Sequence, residues 1–88
     1  MKSSFRNSFT RDLKKIKDHK LRDRIRAAIE TVEAAESLQS LPDVKKIGGA
    51  SNLFRIRIGE YRIGIALEGD TVDFVRCLNR RDLYRFFP

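Results

Sequence analysis

Apolar residues change their spacing along this chain, from steps of three and four in the first half to strict alternation in the second. Leu21, Ile25, Ala28, Ile29, Val32 and Ala35 fall on one side of a helix, which predicts a helical segment running to about Glu36. Its other side carries Arg22, Arg26, Glu30 and Glu33, with Arg26 and Glu30 spaced as an i, i+4 pair of opposite charge. Upstream, Ser3 to Phe9 reads as a short strand. Thr10 then stands where a helix N-cap belongs, with Asp12 in the first turn and Leu13 and Ile16 on the apolar edge of a first helix. Asp18-His19-Lys20 marks the end of that helix or a bend in it.

Leu41-Pro42-Asp43 breaks the helical pattern. Val44 to Ile47 reads as a short strand before the bend Gly48-Gly49. Leu53 to Ile58 and Tyr61 to Leu67 alternate, and Thr71 to Leu78 is rich in Val and Phe, so three further strands are expected. The order is strand, helix, helix, then four strands. Each helix has one apolar stripe and needs a sheet, or the other helix, to cover it.

Gly59-Glu60 fits a two-residue hairpin loop whose first position requires a positive φ. That loop fixes a register in which Ile58 faces Tyr61, Arg57 faces Arg62, Ile56 faces Ile63, Arg55 faces Gly64 and Phe54 faces Ile65. One face of the hairpin is then apolar and the other basic. Arginines directly opposite each other repel, so the arrangement costs stability unless an anion lies over that face, where guanidinium groups grip phosphate oxygens in pairs. A solvated sheet face is the alternative. The same logic at Gly69-Asp70 sets Leu67 against Val72, Ile65 against Phe74, Gly64 against Val75 and Arg62 against Cys77. It puts Cys77 on the basic face and Arg76 on the core face, unless a bulge intervenes.

Eighty-eight residues make a single domain, 1–88, with one modest core. Lys and Arg number 19 against 12 Asp and Glu, giving +7 and a sequence pI near 10.1, which points to a polyanionic partner. The alternative is a basic protein that is merely soluble. One cysteine, Cys77, and one histidine, His19, make neither a disulfide nor a metal-site signature. The polar stretch Met1 to Phe9 is unlike a signal peptide and no segment has the length of a membrane span, so a cytoplasmic protein is expected. After Leu78 the tail Asn79-Arg80-Arg81-Asp82-Leu83-Tyr84-Arg85 brings more cations to the Tyr61-Arg62 end of the hairpin. Phe86 and Phe87 are expected to cover a core edge.

Three segments in order carry a family resemblance: Lys45-Lys46-Ile47-Gly48-Gly49 before Leu53-Phe54-Arg55-Ile56-Arg57, then Ile58-Gly59-Glu60-Tyr61-Arg62-Ile63, then Asn79-Arg80-Arg81-Asp82-Leu83-Tyr84-Arg85. With them the chain resembles the RelE/ParE superfamily of toxins from type II toxin–antitoxin systems. The resemblance implies an α+β fold of two N-terminal helices packed on a small, curved, mainly antiparallel sheet. It implies, in the RelE branch, a ribosome-dependent endoribonuclease that cleaves messenger RNA by 2′-hydroxyl attack, with no metal or small-molecule cofactor. By that resemblance Arg62, Arg81 and Tyr84 are the catalytic candidates, the two arginines holding the phosphate and Tyr84 stacking on a base or accepting the 2′-hydroxyl proton. Arg55, Arg57, Lys45, Lys46, Arg80 and Arg85 are the RNA-binding candidates. Arg80 stands where many relatives have histidine, and arginine is a poor proton shuttle. Base work then falls to Tyr84, or to Glu60 or Asp82. The implied partners are a cognate antitoxin, the ribosome and messenger RNA, and no membrane. In the ParE branch the same fold poisons DNA gyrase by protein binding alone.

Overall fold

The computed structural model describes residues 1–49 and 51–88. The elements are strand β1 (Lys2–Phe5), helix α1 (Asn7–Lys14), helix α2 (His19–Ala34), a single 3₁₀ turn (Leu38–Ser40), strands β2 (Val44–Lys46), β3 (Leu53–Ile58), β4 (Tyr61–Glu68) and β5 (Thr71–Asn79), and helix α3 (Arg80–Phe86). The five strands form one sheet in the order β1-β5-β4-β3-β2, with β1 parallel to β5 and the other neighbours antiparallel. The α+β architecture expected from the chain is therefore present, with one helix more than the pattern predicted.

The β3–β4 hairpin has the predicted register from Phe54↔Ile65 to Ile58↔Tyr61. Gly59 has φ 56°, and no described non-glycine residue has a positive φ, so Glu60 is excluded from the type I′ conformation and the turn keeps the glycine-first form. The core lies between this sheet and α1–α2, and Phe9, Ile25, Val32, Ile63, Ile65, Val72 and Phe74 are among its most deeply buried members. Each such side chain contributes about 1.5–3 kcal/mol by leaving water.

Several sequence expectations about the helices are corrected. The first helix starts at Asn7 rather than after Thr10, because Phe9 is needed on the core side, where its ring packs 5.5 Å from that of Phe74. Its N-cap, Arg6, offers no side-chain bond, and Thr10 lies inside the helix. The second helix ends at Ala34, and its start is capped by the Asp18 carboxylate, which accepts from the amides of Lys20 and Leu21. Arg22 is exposed, as expected of the solvated face, and in addition donates through Nη1 to the carbonyls of Leu13 and Ile16, closing the end of α1.

The β4–β5 pairing follows expectation only as far as Ile65↔Phe74, and the register then shifts, with Val75 as the extra residue of a bulge. Gly64 pairs with Arg76, Ile63 with Cys77 and Arg62 with Leu78. Cys77 consequently faces the core, 2% exposed, instead of the basic face, and Arg76 is carried away from the core. The bulge occurs where β1 stops and α1 takes over as neighbour of β5. The Ser8 hydroxyl donates to the Val75 carbonyl at 2.6 Å, and the Asp12 carboxylate accepts from the Cys77 amide at 2.9 Å. Asp12 also binds Arg76 through two bonds, from Nε at 2.8 Å and Nη2 at 3.1 Å. A carboxylate that is 5% exposed thus has its charge matched and its oxygens satisfied.

The tail is a helix, α3, packed on the sheet face opposite α1 and α2. Asn79 caps it by accepting from the Arg81 amide at 3.1 Å, and Leu83 and Phe87 are buried against the sheet. Phe87 covers Gly64, where a Cβ would stand only 2.7 Å from the ring. Part of the outward face, expected to be basic, is therefore a second small apolar layer that fixes α3. Phe87 covers a sheet face as expected of an apolar tail, whereas Phe86 stays 51% exposed.

Candidate RNA-binding face

The basic residues gather where the β3–β4 turn meets the start of α3. Pleating puts Arg55 and Arg57 of β3 on one face, and Arg57 pairs directly with Arg62 of β4. Lys45 lies opposite Arg55 and shares that face, whereas Lys46 lies opposite Phe54 and belongs to the other. Lys46 is thus not brought into the cluster.

Arg62 is its centre. Half-buried, its Nη1 donates to the carbonyls of Gly59 (2.7 Å) and Tyr61 (2.9 Å), which fixes the guanidinium and leaves Nε and Nη2 as donors for something else. Its pKa is lowered, first by burial and then by the positive charge of Arg55, with smaller contributions from Arg57 and Arg80. Tyr84 acts in the opposite direction, which places its hydroxyl within electrostatic reach of Arg62. Among the described residues no carboxylate lies within ion-pair distance of Arg62. A cation crowded by cations and unpaired keeps donors free for an anion.

The rest of the cluster is held by the turn. Arg80 donates its backbone amide to the Glu60 carbonyl at 2.8 Å, and its Nε lies 3.0 Å from the Glu60 carboxylate. The turn and α3 are thereby tied together, and Arg81 and Tyr84 extend from a helix whose first turn is anchored twice. Arg81 is exposed, and Tyr84, at 60% exposure, has its ring open to solvent. Arg57 has only a loose partner, Asp43, at 3.7 Å between two exposed side chains. Arg85 lies further along α3, its guanidinium carbon 5.3 Å from the Phe86 ring centre.

Two contributors were not read from the sequence. Arg24 on α2 reaches the same turn, its Nη1 3.0 Å from where a Cβ on Gly59 would be. Helical periodicity gives it no distinction from its solvated neighbours. The α3 cap was legible in principle, because Asn79 followed by Asp82 in the first turn is a helix-start pattern. Cys77, expected on the basic face, is buried instead, and burial pushes its thiol pKa up to about 12, with the nearby Asp12 charge adding to the effect.

The family model for the ParE toxin of type II toxin–antitoxin system, parDE, matches residues 4–84. The chain belongs to this toxin family, within the RelE/ParE superfamily. It is 46% identical over 89 residues to Toxin RelE3 of Methanocaldococcus jannaschii, with all of both chains covered. The toxin superposes on the RelB-RelE antitoxin–toxin complex from Methanococcus jannaschii with TM-score 0.80 and 42% identity, covering 97% of this chain and 99% of that one. An archaeal RelE-RelB complex from Pyrococcus horikoshii shares the fold, with TM-score 0.73 at 17% identity over 90% of this chain and 93% of that one. The toxin is of RelE type.

Proposed function

We propose that the toxin is a ribosome-dependent endoribonuclease that cuts messenger RNA and is neutralised by a cognate antitoxin. The observation that carries this reading is Arg62, locked by two backbone carbonyls, unpaired, and surrounded by Arg55, Arg57, Arg80 and Tyr84. The free Nε and Nη2 donors of Arg62 bind a non-bridging phosphate oxygen, and Arg81 approaches from α3. The 2′-hydroxyl attacks the adjacent phosphorus while the Tyr84 oxygen takes its proton. The P–O5′ bond breaks, leaving a 2′,3′-cyclic phosphate, and the proton taken from the 2′-hydroxyl passes from Tyr84 to the departing 5′-oxygen. Glu60 is occupied by Arg80, which favours Tyr84 as base. Fixed cations stabilise the charge that builds on the phosphoryl oxygens, the largest contribution in this kind of site. Arg55, Arg57, Lys45 and Arg80 guide the RNA backbone.

The antitoxin reading rests on the RelB partners of the related complexes and on the density of unpaired cations, which an acidic segment would cover. The test is induction of the toxin in cells followed by mapping of messenger ends. Cuts within translated codons are expected, together with their loss in the Arg62→Ala, Arg81→Ala double variant. Intact messenger with inhibited supercoiling would place the chain in the gyrase-directed branch instead.

A further inference from the structure

The cations of α1 are not explained by the site around Arg62. Arg11, Lys14 and Lys15 are exposed and, among the described residues, have no carboxylate within ion-pair distance. The acid nearest in sequence, Asp12, is turned inward and committed to Arg76 and the Cys77 amide. These side chains and Ser8 line an open cleft of about 440 Å³ whose floor is the Asp12–Arg76 pair. Arg76 links the cleft to α3, since its guanidinium carbon lies 5.8 Å from the Phe86 ring centre, and Arg85 flanks the same ring at 5.3 Å. The ring is 51% exposed although its neighbour Phe87 is buried. An apolar ring left half in water with two guanidinium groups near it, beside three unpaired cations, combines the two parts of a single-strand binding surface: a stacking platform and a charged track for the backbone.

We propose that Phe86 with Arg11, Lys14 and Lys15 forms a second RNA subsite, which takes single-stranded RNA flanking the scissile phosphate. It deepens the reading given above, on which the position of the cut relative to the subsite rests. Tyr84 and Phe86, two residues apart, lie on opposite flanks of α3, so a strand leaving Tyr84 crosses the outer side of the helix over the exposed Arg85 to reach Phe86 and continues past Arg76 to the α1 cations. One base stacks on Phe86 and its neighbouring phosphates pair with the α1 side chains. A purely electrostatic role for these cations would need no aromatic ring, and a ring serving only to close the core would be buried as Phe87 is.

The test measures direct binding of the whole toxin to a 2′-O-methyl tetranucleotide and a 2′-O-methyl dodecanucleotide of the same central sequence, which lack the attacking hydroxyl. The dodecamer is expected to bind more tightly. Phe86→Ala should weaken the dodecamer about tenfold and leave the tetramer unchanged, and Phe86→Trp should restore it. The Arg11→Ser, Lys14→Ser, Lys15→Ser variant should lower the salt dependence of dodecamer binding by about 2 in log–log slope. All these side chains are exposed, and unchanged thermal unfolding serves as the folding control. Equal affinity for the two lengths, or dodecamer binding unaffected by both variants, overturns the subsite. Wild-type cells with uncut messenger but length-dependent, Phe86-dependent binding would overturn the nuclease reading alone.

Discussion

Phe87 closes over Gly64 so tightly that the ring occupies the space of a side chain on the strand beneath it. Gly64 is needed there for the absence of a Cβ, since its own φ is not in the left-handed region. Gly64→Ala would place a methyl group 2.7 Å from the ring, and relief requires α3 to lift. A loss of about 1–3 kcal/mol is expected for such overpacking, seen as a fall in Tm of about 4–8 °C per kcal/mol. Because α3 carries Arg81 and Tyr84, messenger cleavage should fall with it. An unchanged Tm in calorimetry would show that the tail is not fixed by this contact.

Asp12 supports the bulge from the helical side. Asp12→Ala removes the acceptor for the Cys77 amide and leaves Arg76 without its carboxylate, a loss expected to be about 2–4 kcal/mol after allowing for the partial exposure of Arg76. Arg76→Met should cost at least as much, since it leaves the buried Asp12 carboxylate with the Cys77 amide alone and no matching charge. Chemical denaturation of the two variants ranks them.

Arg62 predicts a large effect on function and a small one on stability. Arg62→Gln should reduce cleavage about 10²–10³-fold, the effect of losing one positioned charge donor, yet leave the fold about as stable, because the repulsion from Arg55 and Arg57 that disappears offsets the weakened bonds to the Gly59 and Tyr61 carbonyls. Added salt should stabilise the wild type and have less effect on the variant. A variant that unfolds more easily than wild type at low salt would contradict the assignment of Arg62 as a cation held for a ligand.

Cys77 gives the pH dependence. Its folded pKa of about 12 lies above the value near 8.5 for an unfolded thiol. The native state therefore holds its proton more tightly, so the associated stability is complete below the unfolded value and is lost as pH rises from there toward about 12. The wild type should lose stability relative to Cys77→Ala across that window, at up to about 1.4 kcal/mol per pH unit. In the native protein at neutral pH the thiol should resist alkylation until unfolding exposes it, which mass spectrometry reads directly.

How much of this was legible in the chain depends on how local the determinant is. The β3–β4 register followed from Gly59-Glu60 and alternation, both contained in about a dozen residues. The meeting of Arg57 with Arg62 followed in turn. The second hairpin defeated the same reasoning after Phe74, because the Val75 bulge depends on Ser8 and Asp12, more than sixty residues upstream. Arg76 had already signalled the conflict, as a cation that simple alternation sent into the core. Arg24 and Arg22 were missed for a related reason: exposed helix positions look alike until the neighbouring element is in place. Asn79 and Asp82 did announce a helix, but the cations between them drew attention to charge instead of to capping.

The strand pairing also orders events in time. β3, β4 and β5 meet through short turns, whereas β1 lies beside β5 in a register that joins Lys2 to Thr71. Closing so long a loop is entropically slow compared with closing the hairpins. The three-stranded meander is therefore expected to form early, and the α1 segment to dock onto it late. Since Asp12 arrives with that segment, Arg76 gains its partner, and the proposed RNA track becomes continuous from α1 to α3, only at the last step of folding.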